Sequence, residues 1–211
     1  MLTLGISTSS GQFALALGES GTVINDPKRA NEYNELDEML SDALTSCKRE
    51  LKEISAIIID IGPGGTSRVR TGVAFANSVS YALNIPVYPV SSIYLAGIDA
   101  WSRYQLPVVV TMKSIKENAY VGLYHEGAIS VEYGRIEAIV PKITAGVDKF
   151  VVVGFHREAI IGLPALVGKS IIDSQMLFGD VKLFVEREEL FRAGGGLCFP
   201  DFAQPITENV L

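Results

Sequence analysis

The run AIIIDIG at residues 56–62 constrains the fold of this chain more than any other segment. It is almost entirely apolar, as expected for a strand that is buried on both faces of a sheet. A glycine-rich turn follows at 62–65, and Thr66 is a candidate N-cap for a helix over residues 66–84. A buried strand, a tight turn and a helix in this order are typical of an α/β protein.

The patterns on either side of this segment predict two similar halves. Short strands that alternate with helices come first, and a new set of strands begins near residue 106. The predicted strands are 2–8, 12–18, 21–26, 56–62, 87–91, 106–114, 118–127, 128–140 and 149–155, and the predicted helices are 31–52, 66–84, 91–104 and one or two within 173–191. We therefore expect a duplicated architecture with a boundary around residues 100–106.

Composition indicates a globular protein that does not bind nucleic acid alone. The 211 residues are 48% hydrophobic, and the formal net charge is −6, which on average repels a phosphate backbone. Cys47 and Cys198 form no CxxC pair, so we expect two reduced cysteines rather than a zinc site or a disulfide. No uninterrupted apolar run is long enough to span a bilayer, so the expected location is cytoplasmic, without membrane contact.

The glycine turn admits two hypotheses. A Walker loop needs a Lys after its glycines and a dinucleotide fingerprint needs a third Gly, but here Thr66, Ser67 and Arg68 follow. Pro63 also removes one amide that could contact a phosphate. The turn is therefore either a tight strand-to-helix connection or a phosphate site at a helix N-terminus.

Motifs of metal and hydrolase sites are missing. His125 and His156 have no HExxH or HxxxH partner, and no Gly-x-Ser-x-Gly elbow occurs. Acids at predicted strand ends or helix starts could hold Mg²⁺, or could cap helices and turns. These acids are Asp26, Asp60, Asp99 and Asp173.

Small residues are unusually frequent in the helix predicted over 66–84. Small side chains let two helices approach closely, so they suit packing within this protein or between two proteins. The sequence leaves both alternatives open. The residues are Gly72, Ala74, Ala76, Ser78, Ser80 and Ala82.

Residues 62–93, GPGGTSRVRTGVAFANSVSYALNIPVYPVSSI, resemble the signature of the TsaB (YeaZ) family. That signature has Gly-Pro-Gly, a short Ser/Thr-rich step, a hydrophobic-Arg pair, and then Gly and a helix that leads into Pro-hydrophobic-x-x-Val-Ser. The opening strands, the helix at 31–52, the NAYVGLY strand and the AQPITENVL segment fall in matching order. The resemblance thus covers most of the chain.

The resemblance implies a two-lobed actin-like (ASKHA) fold with duplicated ribonuclease-H-like halves. We expect residues 1–105 to form an N-terminal lobe and 106–189 a C-terminal lobe, with the tail 190–211 packed on the first. The expected apolar anchors of this tail are Leu197, Phe199, Phe202 and Ile206. The resemblance also implies a non-catalytic scaffold subunit for N6-threonylcarbamoyladenosine (t6A) formation at adenosine 37 of tRNA. A homologous TsaD-like subunit would carry the catalytic HxxxH site, and a TsaE-like ATPase would complete the complex.

By the same resemblance, the helices at 31–52 and 66–84 bind the TsaD-like subunit, or a second copy of this chain when it is alone. No cofactor or metal is expected, and tRNA is reached only through the complex. The predicted partner-binding residues are Leu36, Met39, Leu40, Ala43, Val69, Val73, Ala76, Asn77 and Ser80. The loop motif is Gly62, Pro63, Gly64, Gly65, Thr66 and Arg70.

The chain departs from the family pattern at several positions. Ser7, Thr8 and Ser9 stand where the family usually has an Asp-Thr-Ser step, Ser67 and Arg68 replace the usual aromatic or Gly beside the loop Thr, and a histidine common in the first helix is missing near residues 33–34. Loss of that Asp argues against independent nucleotide hydrolysis.

Two other functions remain as alternatives. An actin-like ATPase or kinase would use Asp60 and the turn at 62–65 on ATP and Mg²⁺. A glycoprotease-like activity would require a metal site.

Overall fold

The structure of the protein, a computed structural model, describes residues 1–25, 35–114, 117–192 and 195–201. The chain forms two compact units, each with its own sheet. The first unit comprises Met1–Leu95 and Asp180–Pro200, and the second centres on Ala96–Gly179.

The first unit is built on a mixed five-stranded sheet with the order β3-β2-β1-β4-β5. Strand β1 pairs antiparallel with β2 and parallel with β4, and β5 continues the parallel half. The elements are β1 (Leu2–Ser7), β2 (Ala14–Glu19), β3 (Thr22–Val23), α1 (Leu36–Ser46), a 3-10 turn (Leu51–Glu53), β4 (Ile54–Asp60), α2 (Thr66–Leu83), β5 (Val87–Val90), α6 (Leu183–Glu186) and a 3-10 turn (Glu188–Leu190). Helix α3 (Ser92–Tyr104) begins in this unit and continues into the second.

Strand β4 is buried on both faces, as its apolar sequence predicts. Ile57 and Ile59 lie in a core with the apolar sides of α1 and α2. Ile58, which alternates with them, is equally buried and points to the other face of the sheet. There α6 packs across β1 and β2 and buries Phe184 and Val185.

The second unit repeats this topology. Its sheet has the order β10-β9-β6-β7-β8, with β6 antiparallel to β7 and parallel to β9. The predicted duplicated α/β fold is therefore confirmed. The elements are β6 (Val108–Lys113), β7 (Asn118–His125), β8 (Ala128–Arg135), α4 (Ile136–Ile143), β9 (Lys149–Gly154), α5 (Arg157–Ile161), a 3-10 turn (Pro164–Leu166) and β10 (Ser170–Asp173).

Several predicted elements differ from the structure. The strand predicted over 128–140 ends at Arg135, and Ile136–Ile143 is helix α4, since a short apolar run fits either state. The predicted helices within 173–191 reduce to α6 and one 3-10 turn, and β10 and α5 were not predicted. Residues 26–34, where the first helix was expected to begin, lie outside the described residues.

The two units divide between Leu95 and Ala96, within α3. The sequence-based boundary at 105 follows the last residue of that helix, Tyr104. The lobe boundaries at 105 and 189 stay a prediction.

Gly18 gives a test of the packing of α6 on the sheet. A Cβ atom at position 18 would lie 1.5 Å from Cγ1 of Val185, so Gly18→Ala is expected to lower the free energy of unfolding by about 1–3 kcal/mol. Adding Val185→Ala removes the clashing methyl groups and should recover part of the loss. Urea denaturation measures both effects.

The matched control is Gly146→Ala. Gly146 is exposed, and a Cβ atom there would meet nothing within 4 Å. A Gly18→Ala variant that is as stable as this control would contradict the packing described here.

Candidate functional site

A buried carboxylate lies where β4 enters the glycine turn. Asp60 is fully buried, and its Oδ2 accepts hydrogen bonds from the hydroxyl groups of Ser7, at 2.7 Å, and of Ser9. Its Oδ1 accepts one from the amide of Gly62 at 2.9 Å. One side chain thus joins the end of β1, the end of β4 and the start of the turn.

Contacts within this chain hold the turn in place. Gly62 has φ +99°, a conformation that favours glycine, and its carbonyl accepts from the amide of Ser92 at 2.8 Å. The amide of Gly65 donates to the carbonyl of Ser9 at 3.1 Å. A Cβ atom at Gly64 would lie 2.4 Å from that same carbonyl oxygen, so the turn and the β1–β2 connection are in direct contact.

These contacts use some of the groups that a phosphate cradle would need. A cradle needs backbone amides that point at the ligand. The amides of Gly62 and Gly65 already donate within the protein, and Pro63 has none. These contacts support the hypothesis of a strand-to-helix connection.

The start of α2 is anchored to the same region. The guanidinium of Arg68 lies over the ring of Phe13, 4.5 Å from its centroid. A Cβ atom at Gly72 would lie 2.6 Å from Oγ1 of Thr8, so a side chain at 72 would push the helix away from the β1–β2 connection. Arg68 and Gly72 thus help to fix how close the start of α2 lies to the β1–β2 connection.

The predicted partner-binding residues are not where the resemblance led us to expect them. Six of the nine are buried in the core of the first unit: Leu36, Met39, Leu40, Val69, Val73 and Ala76. Ala43 packs against that core, and the hydroxyl of Ser80 donates to the carbonyl of Ile85. Apolar residues at helical spacing mark the side that faces the core, so these side chains are not exposed in the free chain, and their role in partner binding stays a prediction.

The opposite side of α2 is exposed. A stripe of small residues runs along it and ends at Tyr81, which is 91% exposed. The residues of this stripe are three and four positions apart and fall between the apolar positions of the helix. That spacing is the signal that could have located the exposed side from the sequence. We call these five residues the outer face of α2: Ser67, Thr71, Ala74, Ser78 and Tyr81.

Asn77, the remaining predicted residue, binds a distant segment of its own chain. Its side-chain amide donates to the carbonyl of Cys198 at 2.9 Å and accepts from the amide of Cys198 at 3.1 Å. We call residues 195–200 the strap. The sequence predicted Leu197 and Phe199 as its apolar anchors, but they are 77% and 72% exposed, and the anchor is Cys198, which is 2% exposed. The other two expected anchors, at positions 202 and 206, lie outside the described residues.

The part of the chain that the structure describes holds neither a cluster of metal ligands nor a membrane-spanning helix. Within the described ranges, no three His, Cys, Asp or Glu side chains converge as metal ligands would. In the same ranges, no helix is long and apolar enough to cross a membrane.

Titration of Asp60 gives a pH-dependent prediction. Burial raises the pKa of Asp60 above the ordinary aspartate value of 3.8, while the hydrogen bonds from Ser9, Ser7 and Gly62 act in the opposite direction. Because the folded state holds this proton more tightly than the unfolded state, the stability from Asp60 is full below pH 3.8 and is lost as pH rises through the raised pKa.

Urea denaturation of the wild type and of Asp60→Asn, at a series of pH values from 3.8 upward, measures this effect. The wild type should lose stability relative to the variant as pH rises. If the wild type instead gained stability relative to the variant as pH rises, burial would not be the main influence on the pKa of Asp60.

Ser7 gives a second prediction, because it stands where the family usually has Asp. An Asp at position 7 would place a second carboxylate against that of Asp60, so Ser7→Asp should cost about 3–5 kcal/mol of stability at pH 7. Ser7→Asp combined with Asp60→Ser restores one carboxylate and one hydroxyl and should recover most of the loss. Additive losses in the double variant would show that the two positions do not interact.

Several known proteins are similar to this chain in sequence or in fold. The family model described as TsaD, tRNA N6-adenosine threonylcarbamoyltransferase, matches residues 27–159. The chain is 28% identical over 98 residues to the tRNA threonylcarbamoyladenosine biosynthesis protein TsaB of Buchnera aphidicola subsp. Acyrthosiphon pisum (strain APS), a match that covers 46% of this chain and 44% of that protein.

A second relative is the TsaB protein of Bacillus subtilis (strain 168), 26% identical over 144 residues, or 67% of this chain and 60% of that protein. The chain thus spans about half the length of the curated relatives it matches.

The fold agrees with a solved structure from Pseudomonas aeruginosa, a protein described as similar to peptidase YEAZ. The TM-score is 0.78 at 20% identity, and the match covers 96% of this chain and 99% of that one. The family model covers more than half of this chain, so the chain belongs to that family, and its TsaB-named relatives place it with the TsaB (YeaZ) members.

Proposed function

We propose that this chain is a non-catalytic subunit of the machinery that forms t6A at adenosine 37 of tRNA, and that it acts by binding a TsaD-like catalytic subunit. The proposal is supported by its TsaB-named relatives and by its match to the TsaD family model. Two subunits that share a fold can pack corresponding helices against each other around a pseudo-twofold axis.

The observation that carries the proposal is the outer face of α2. Its residues are small as far as Ser78, so a partner helix can approach the backbone closely. Tyr81 follows, and exposed Tyr side chains are among the commonest anchors of protein interfaces. The exposed side of α1, with Asp37, Ser41 and Thr45, belongs to the same candidate surface.

Two of the hydroxyl groups on this face, those of Thr71 and Ser78, already have partners within the helix. Thr71 donates to the carbonyl of Ser67 at 3.0 Å, and Ser78 donates to that of Ala74 at 2.8 Å. A partner that covers these two hydroxyl groups leaves neither donor unpaired, so the usual cost of burying them is reduced. The face is polar enough to be exposed in the free protein. It also has a low desolvation cost, which a surface needs if a partner is to bury it.

The remaining parts of the proposal follow from charge and family. The net charge of −6 disfavours direct binding of RNA, so tRNA is reached through the complex. A TsaE-like ATPase completes the assembly, which works in the cytoplasm, and the chain itself holds no cofactor or metal. When the TsaD-like subunit is absent, the same face pairs two copies of this chain.

Ala74→Arg tests the face. Ala74 is exposed, so the variant should fold, but a charged side chain in a close helix interface should lower the affinity for the TsaD-like subunit by at least about tenfold. Tyr81→Ala should have a similar effect through loss of an anchor. Isothermal titration calorimetry with the purified partner measures both.

Val167→Arg is the matched control, because Val167 is an exposed apolar residue of the second unit. It should bind as the wild type does. Ala76→Arg is unsuitable for this purpose, since Ala76 is buried and the charge would disrupt the core of the first unit. Wild-type affinity in both Ala74→Arg and Tyr81→Ala would refute the proposed face.

A further inference from the structure

The strap occupies a groove between α2 and the outer edge of β5. β5 is an outer strand of the first sheet, and its Val87 carbonyl accepts a hydrogen bond from the amide of Gly196 at 3.0 Å. On the other side of the strap, Asn77 supplies one donor and one acceptor to the backbone of Cys198. The groove therefore forms hydrogen bonds with main-chain groups of the strap, as sites that bind extended peptides do.

Two positions of the strap require small side chains. A Cβ atom at Gly195 would lie 2.8 Å from the ring of Tyr88, and the side chain of Cys198 is enclosed in the core cluster of the first unit. Gly195 and Cys198 thus give the groove a sequence preference, and the backbone contacts give it affinity. The chemical class of ligand is an extended peptide with small residues at these two positions.

The larger residues of the strap contribute little to holding it there. Leu197 and Phe199 flank the buried Cys198, yet both are largely exposed. Among the described residues, the contacts of the strap include three hydrogen bonds, to Val87 and Asn77, and the burial of one thiol. A surface segment whose larger side chains are exposed can open at a free energy below that of global unfolding.

We propose that the groove formed by Asn77, Val87 and Tyr88 is an extended-peptide site, filled here by the strap of the same chain, and that the strap of a second copy is its occupant in trans. Every copy carries both the groove and the peptide that fits it. Exchange of identical segments replaces each contact with the same contact, so it is a low-cost route to a dimer. This inference concerns α2 and β5 and does not rest on the proposed partner of the outer face.

Thiol labelling of full-length chains tests the groove. In a Cys47→Ser background, Cys198 is the sole cysteine, and burial raises the pKa of its thiol to about 11 while the strap is docked. Iodoacetamide should therefore label it slowly at pH 8. Asn77→Ala removes two of the three hydrogen bonds and should speed labelling by about tenfold or more.

Mixing two variants tests exchange. The Asn77→Ala chain keeps a normal strap but a weakened groove, whereas a Cys198→Arg chain keeps a normal groove but a strap that cannot enter it. On mixing, the groove of the Arg chain should capture the strap of the Ala chain, so labelling of Cys198 slows again and native mass spectrometry shows a 1:1 species.

Cys198→Ser is the matched control, because it also lacks the thiol but its own strap still fills its groove, so it should give no protection. If Cys198→Arg fails to fold, Gly196→Pro with Cys198→Ser replaces it, since proline removes the amide that Val87 accepts. Wild-type labelling rates in Asn77→Ala would overturn the role of the groove, and unchanged labelling after mixing would overturn the exchange.

Discussion

The buried carboxylate of Asp60 is the interaction on which the first unit depends. Through Ser7, Ser9 and Gly62 it connects two neighbouring parallel strands to the turn that starts α2. A carboxylate is costly to bury, and hydrogen bonds from two hydroxyl groups and an amide offset that cost. Because Asp60 ends β4 and its donors lie at the end of β1, in the β1–β2 connection and in the turn, the turn is tied to both strands, and the position of α2 follows from it.

That position gives α2 two different sides. The inner side carries Val69, Val73 and Ala76, which pack into the core. Gly72 allows the helix to lie close to Thr8. The outer side keeps small residues, and two of its hydroxyl groups donate within the helix. A residue between these sides, Asn77, binds the strap. One helix therefore faces the core, a candidate partner surface and the strap, and the glycine turn sets its position.

Sequence patterns predicted the parts of this structure that depend on local chemistry. The apolar run of β4 identified a strand buried on both faces, and the repeated order of strands and helices identified the two halves. Helical spacing located the apolar side of α2 but could not say what covers it, so core residues were assigned to a partner. The pairing of Asn77 with Cys198 joins residues 121 positions apart and has no local signal. Asp60 was recognised as an acid at a strand end, but its donors on β1 and in the β1–β2 connection become visible only when the sheet is assembled.

Site-specific photo-crosslinking tests the central claim, that the outer side of α2 carries the function, most directly. A benzoylphenylalanine in place of Tyr81 should crosslink to the TsaD-like subunit when the two purified proteins are mixed, because position 81 is fully available in the free protein and would be buried in the complex. The same probe at Val167, which is 87% exposed in the second unit, should not. Equal crosslinking from both positions, or crosslinking from position 167 alone, would contradict the account.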